Sequence, residues 1–175
     1  MKINNYNLIK IKLYFYVFIL IIAFFIGFFI DVVKENYNLN YLNYNNFISI
    51  FLYNFIIVII WFSFAHVGIS IFFIFKFMID MVLAGKKFFF DERIYFFSSL
   101  SHGVCELLIG FIIFSYSIDF YIYLFYLYKT GDNSILIFRL KKFLKFDFFI
   151  ILILLLVSAF LEVYVSNRII LFFGG

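Results

Sequence analysis

His102 and Glu106 stand four residues apart in SHGVCELLIGFIIF, and Lys76 and Asp80 stand four apart in KFMID. Both pairs lie in long apolar runs, and His66 and Glu162 also fall within or at the edges of such runs. A spacing of four places two side chains on one face of a helix. An imidazole one turn before a carboxylate can donate its N–H to it, which fixes the tautomer and offsets the burial of both groups. Such residues are rare in membrane spans and usually face a bundle interior or water. His102 and Glu106 therefore read either as a polar clasp that joins helices or as a site for a substrate, a proton or a partner. Ser101 and Gly103 beside them permit close helix approach, as small residues do in membranes. Lys76 and Asp80 either pair within the membrane or lie near the headgroups, with Lys76 snorkelling. His66 falls at a presumed turn and reads as solvated. Glu162 lies near the exit of the last apolar run; if buried it needs a partner, and it is expected to meet the His102 and Glu106 face in one polar cluster.

Catalytic templates fit poorly. HExxH is absent, and His102 with Glu106 supplies two possible metal ligands without a clear third or fourth. Cys105 beside Glu106 lacks an arrangement that would activate a nucleophile. As the single cysteine it cannot form an internal disulfide. Asp91 and Glu92 before Arg93 faintly resemble the acidic pairs of intramembrane proteases, but no histidine is suitably spaced. There is no glycine-rich phosphate loop, so any ATPase would be a separate protein. The expectation is a protein without catalytic residues, metal or cofactor.

The elements that must position these groups follow from composition. Hydrophobic residues make up 67% of the chain and mean hydropathy is +1.11. Charged residues are 14%, against about 25% in soluble domains. A lipid bilayer must therefore cover the apolar surface. The 32 Phe and 14 Tyr fit a coding bias and suit lipid interfaces. Net charge is +4, lies mostly in two basic segments, and fits cytoplasmic flanks rather than nucleic-acid binding. No cleavage pattern follows the first apolar run, which reads as a retained span.

The expected fold class is all-α, a polytopic transmembrane helical bundle in a single integral membrane domain, residues 1–175. A spanning helix needs about 20 apolar residues. The spans fall at 13–30, 47–65, 69–84, 94–128 and 148–165, with a tight turn at 66–68 and a plausible break at Ser101-His102-Gly103. Gly131-Asp132-Asn133-Ser134 is a turn and helix start, and 135–145 reads as a basic amphipathic helix on the membrane surface. With five spans, one side carries Lys2, Lys10, Lys12, Lys129, Arg139, Lys141, Lys142 and Lys145. The other carries Lys34, Lys86, Lys87, Arg93 and Arg168. The positive-inside rule then predicts a cytoplasmic N-terminus in the cell membrane.

At His102, Gly103 and Glu106 the sequence resembles the stage II sporulation protein M family, whose signature Pro-His-Gly-x-x-Glu opens an apolar span. A second match is SAFLEVYVSNR, where Ala159 and Glu162 fit a late Ala-x-x-Glu pattern, and Asn54 and Gly85 fall at suitable places. Ser101 stands where the family favours proline, and Leu108 where proline often follows. The resemblance implies a multi-span helical protein without catalysis of its own. One branch partners with cell-wall hydrolases in endospore engulfment. Other branches accompany circular-bacteriocin production and immunity, beside transporter components with their own ATPase. The two resulting expectations are a membrane scaffold and a peptide-export component.

Overall fold

In lipid a backbone must satisfy its own hydrogen bonds, and with no proline in the chain the apolar runs fold as helices. The computed structural model describes residues 5–33, 41–66, 68–87 and 92–174, and every regular element among them is helical. These are α1 (Asn5–Phe29), α2 (Tyr44–Ala65), α3 (Ser70–Lys87), α4 (Glu92–Thr130), α5 (Ser134–Lys142), α6 (Phe148–Leu161) and α7 (Asn167–Gly174). Two π-helical turns, Phe143–Asp147 and Glu162–Ser166, join α5 to α6 and α6 to α7 into one rod. Leu8–Phe29, Tyr44–Ala65, Ile94–Thr130 and Ser134–Phe173 are long and apolar enough to cross a membrane. The 18 residues of α3 include Lys76, Asp80, Lys86 and Lys87, and α3 is not among these four.

Side-chain contacts fix the direction of each helix. Tyr16 on α1 donates its hydroxyl to the Leu107 carbonyl (2.8 Å), and Lys12 reaches Ser115 (3.2 Å), so α1 and α4 are antiparallel. Trp61 meets Phe77 and Phe64 meets Phe73, which makes α2 and α3 antiparallel. Phe62 stacks on Phe143 (4.3 Å) and Phe55 meets Phe148, which sets α2 against the last rod. Beside α1, α3 runs in the same direction: Gly27 lies under Val82, and Lys86 donates to the Phe28 carbonyl (2.8 Å) and to that of Ile30. That lysine satisfies acceptors left open at the end of α1. The start of α1, the α2–α3 turn and the α4–α5 connection therefore share one end of the bundle. Tyr16, Trp61, Ile109, Phe114, Tyr116, Phe143 and Leu155 fill the interior. Phe18, Phe72 and Phe149 are among the many apolar side chains left on the outside, a surface suited to lipid.

Local chemistry sets the boundaries. Asn43 accepts from the N–H groups of Asn45 (2.9 Å) and Asn46 (3.3 Å), while Asn46 accepts from the Asn43 N–H (2.9 Å). This capping box starts α2 at Tyr44, three residues before the span expected at 47–65. At the α2–α3 turn, Gly68 has φ +78°, and a Cβ there would meet the Tyr121 hydroxyl at 2.8 Å. Gly131, at φ +71°, ends α4, and the helix restarts at Ser134. The Ser134 N–H donated to Asp132 (2.9 Å) holds that carboxyl below the usual carboxylate range.

Two sequence expectations need correction. The helix does not break at Ser101-His102-Gly103; α4 runs unbroken through it, about 58 Å at 1.5 Å per residue against a hydrocarbon core of about 30 Å. His66 is half-buried and paired, its Nε2 lying 3.0 Å from the Tyr116 hydroxyl and its ring against Phe62 and Phe120. Asp91 lies outside the described residues.

Candidate functional site

Two polar centres lie at different levels along α4. The first contains His102, Glu106 and Glu162, three of the residues singled out from sequence. Glu106 sits opposite Asn54, in the middle of α2, and accepts from Asn54 Nδ2 (3.5 Å) and from the Ser158 hydroxyl (3.3 Å). His102 does not bond to Glu106. Its Nδ1 lies 2.9 Å from the Ser166 hydroxyl, which donates to the Ser98 carbonyl (2.7 Å). Because that hydroxyl has one proton, the network assigns the N–H to His102 Nδ1. Ser101 bonds to the Ser98 carbonyl (3.1 Å) and lies 3.1 Å from Ser166. The expected clasp within one helix is thus replaced by a clasp between α4 and the last rod. Each member of the pair bonds to a serine across the interface instead of to the other.

Glu162, the first residue of the second π turn, lines the same cavity as His102 and Glu106. This chamber is about 430 Å³ and runs from the level of Ser49 and Tyr95, near the starts of α2 and α4, to Glu106. Gly103 lies in α4 with the Met81 methyl 3.4 Å from where a Cβ would stand, and Ala159 is fully buried in α6. Cys105 is buried and free. Among the described residues, no group of three or more His, Cys, Asp and Glu is placed to hold a metal.

Lys76 and Asp80 form an ion pair, as their spacing allows, but on the outside of α3. Their side chains are 71% and 52% exposed, away from the chamber wall.

The second centre has no counterpart among the sequence expectations. Lys12 and Arg139 Nε (2.9 Å) both bind Asp119, and Arg139 Nη1 binds Asp147 (3.0 Å). Lys12 and Asp119 are buried, and Lys12 also donates to Ser115 (3.2 Å). Two cations thus face two carboxylates beside a cavity of about 330 Å³. The centre lies about 20 Å along α4 from Glu106, at the level of the α2–α3 turn. It joins α1, α4, α5 and the first π turn at one end of the bundle. Asp119 within an apolar run was the available sequence signal.

No family model, curated protein or solved structure matches the chain. Roles for these residues therefore rest on geometry and on the sequence resemblance.

Proposed function

We propose that this protein is a non-enzymatic integral membrane scaffold of the kind that the stage II sporulation protein M resemblance implies, acting as an assembly partner for cell-wall hydrolases. The observation that carries this reading is where the signature residues fall. His102 and Glu106 bond across the crossing of α4 with the last rod, Glu162 of that rod lines the same cavity, Ala159 is buried beside Ser158, and Gly103 faces Met81 of α3. His102 and Glu106 are tied to Ser166 and Ser158, which favours a role in holding helices for a partner to dock on. In this reading α3 is the fifth span, because it packs against α1, α2 and α4 and runs alongside α1. The basic face of α5 lies at a cytoplasmic surface of anionic lipid together with the N-terminus.

The chamber favours a second reading, a membrane component of peptide export or immunity working with a separate ATPase. Affinity purification of the tagged chain in mild detergent separates the two. Cell-wall hydrolases in the eluate support the scaffold; a transporter ATPase in their place supports export.

A further inference from the structure

The chamber between α2, α3, α4 and the second π turn has an unbalanced inventory. Two carboxylates, Glu106 and Glu162, line it, and among the described residues no lysine or arginine pairs with either. The contrast with the second centre is direct, since there every carboxylate meets a cation. Neutral donors from Asn54 and Ser158 reach one oxygen of Glu106, whereas Glu162 has no hydrogen-bond partner among the described residues. An ionised carboxylate away from bulk water is costly unless a cation or several donors meet it.

A second observation is independent of the acidic pair. The Ser99 hydroxyl is buried, lines the same chamber and has no hydrogen-bond partner among the described residues. Buried polar atoms are rarely left in that state. His102 adds to the same demand. With its Nδ1–H on Ser166, the neutral ring offers Nε2 as an acceptor. Glu106, Glu162 and His102 thus all call for N–H donors.

Size and walls narrow the class. The volume of about 430 Å³ falls within the ~300–1,000 Å³ typical of small-molecule sites, far more than one bare metal ion fills. Tyr53, Phe77 and Tyr95 supply aromatic faces, which attract organic cations and cover apolar groups.

We propose that this chamber binds a small organic cation, an alkyl- or arylalkylammonium. Its N–H groups meet Glu106 and Glu162, and its apolar body lies against Tyr53, Phe77 and Tyr95. This site does not depend on the scaffold reading, and a scaffold could carry it as a regulatory input.

The test is calorimetric titration of the full-length protein in lipid nanodiscs with 2-phenylethylammonium chloride. Neutral 2-phenylethanol and calcium chloride serve as comparison probes. The expected result is saturable binding of the ammonium, with the alcohol weaker by about tenfold or more, the equivalent of about 1.4 kcal/mol. Glu162→Gln should weaken ammonium binding by about tenfold, while Lys76→Ala on the outer face of α3 leaves it unchanged. Equal affinity for the alcohol, no binding of the ammonium, or no change in Glu162→Gln overturns the proposal. So does saturation by calcium that excludes the ammonium. If Glu162→Gln fails to fold, Ser99→Leu tests the same site by filling the chamber from its α4 wall. Loss of binding in a folded Ser99→Leu protein supports the assignment, and retained binding overturns it.

Discussion

Asp119 is the residue on which most charge converges. It meets Lys12 and Arg139 while nearly fully buried, so its removal leaves two cations without their main partner. Breaking a buried pair from one side costs about 3–5 kcal/mol, whereas exposed pairs are worth about 0–1 kcal/mol. Asp119→Ala should therefore lower the unfolding free energy in detergent by about 3–5 kcal/mol, and Lys76→Ala by about 1 kcal/mol or less. Equal losses in the two variants would contradict the burial difference. The exposed pair was legible in the sequence and the buried one was not, for a plain reason. Lys76 and Asp80 are four apart on one helix, and their pairing is visible as spacing. Lys12 and Asp119 are 107 positions apart, so only the fold brings them together. His102 and Glu106 show the converse: the spacing was right, but Ser166 and Ser158 from another helix took up the bonds.

The two π turns explain what helical periodicity could not. Arg139 and Asp147 bracket one, Ser158 and Ser166 the other, and each pair is eight positions apart. On a regular helix that separation leaves side chains about 80° out of line. A π turn absorbs one residue, so each pair behaves as a heptad and returns to within about 20° of one face. Single-residue deletion tests this. In a Cys105→Ala background, Ser101→Cys and Ser166→Cys should form a disulfide on oxidation, given their hydroxyls 3.1 Å apart. Deleting Val165 removes the absorbed residue and leaves a regular helix with Ser166 on the same face, so the cross-link should persist, whereas inserting an alanine after Val165 rotates everything beyond it by about 100° and should abolish it. Loss of the cross-link on deletion, or its survival on insertion, would mean the turn does not set the register. Close helix approach offers another check. A Cβ on Gly110 would stand 2.6 Å from the Tyr16 hydroxyl, and one on Gly27 would stand 3.0 Å from Val82. Gly27→Leu and Gly110→Leu should each destabilise by about 1–3 kcal/mol or more, read from detergent melting curves. Apolar length alone predicted most of the helices, and the glycine at 131 marked a turn. The capping box at Asn43 and the continuity of α4 through Ser101-His102-Gly103 required hydrogen bonds and packing to be seen.

At the scale of the whole molecule, the charged groups turned into the bundle sit in two zones. One is a balanced network where α1, α4 and α5 meet at one end. The other is an acidic chamber that begins toward the opposite end. The proposed topology places the first zone in the cytoplasm and makes α3 a span. Single cysteines introduced as Val33→Cys and Lys87→Cys in Cys105→Ala should then react with a membrane-impermeant maleimide in intact cells, while Asn133→Cys reacts only after permeabilisation. Labelling of Lys87→Cys only after permeabilisation would remove α3 from the spans. The central claim is that the crossing of α4 with the last rod presents a platform for partner proteins. Its most direct test is quantitative affinity purification from cells cross-linked before extraction, comparing the native chain with Ser158→Leu, which removes the hydroxyl bonded to Glu106 and overfills a fully buried position of the crossing. The predicted result is a cell-wall hydrolase enriched with the native chain and depleted with Ser158→Leu at equal expression. Enrichment of a transporter ATPase with no hydrolase, or a hydrolase signal indifferent to Ser158→Leu, would contradict it.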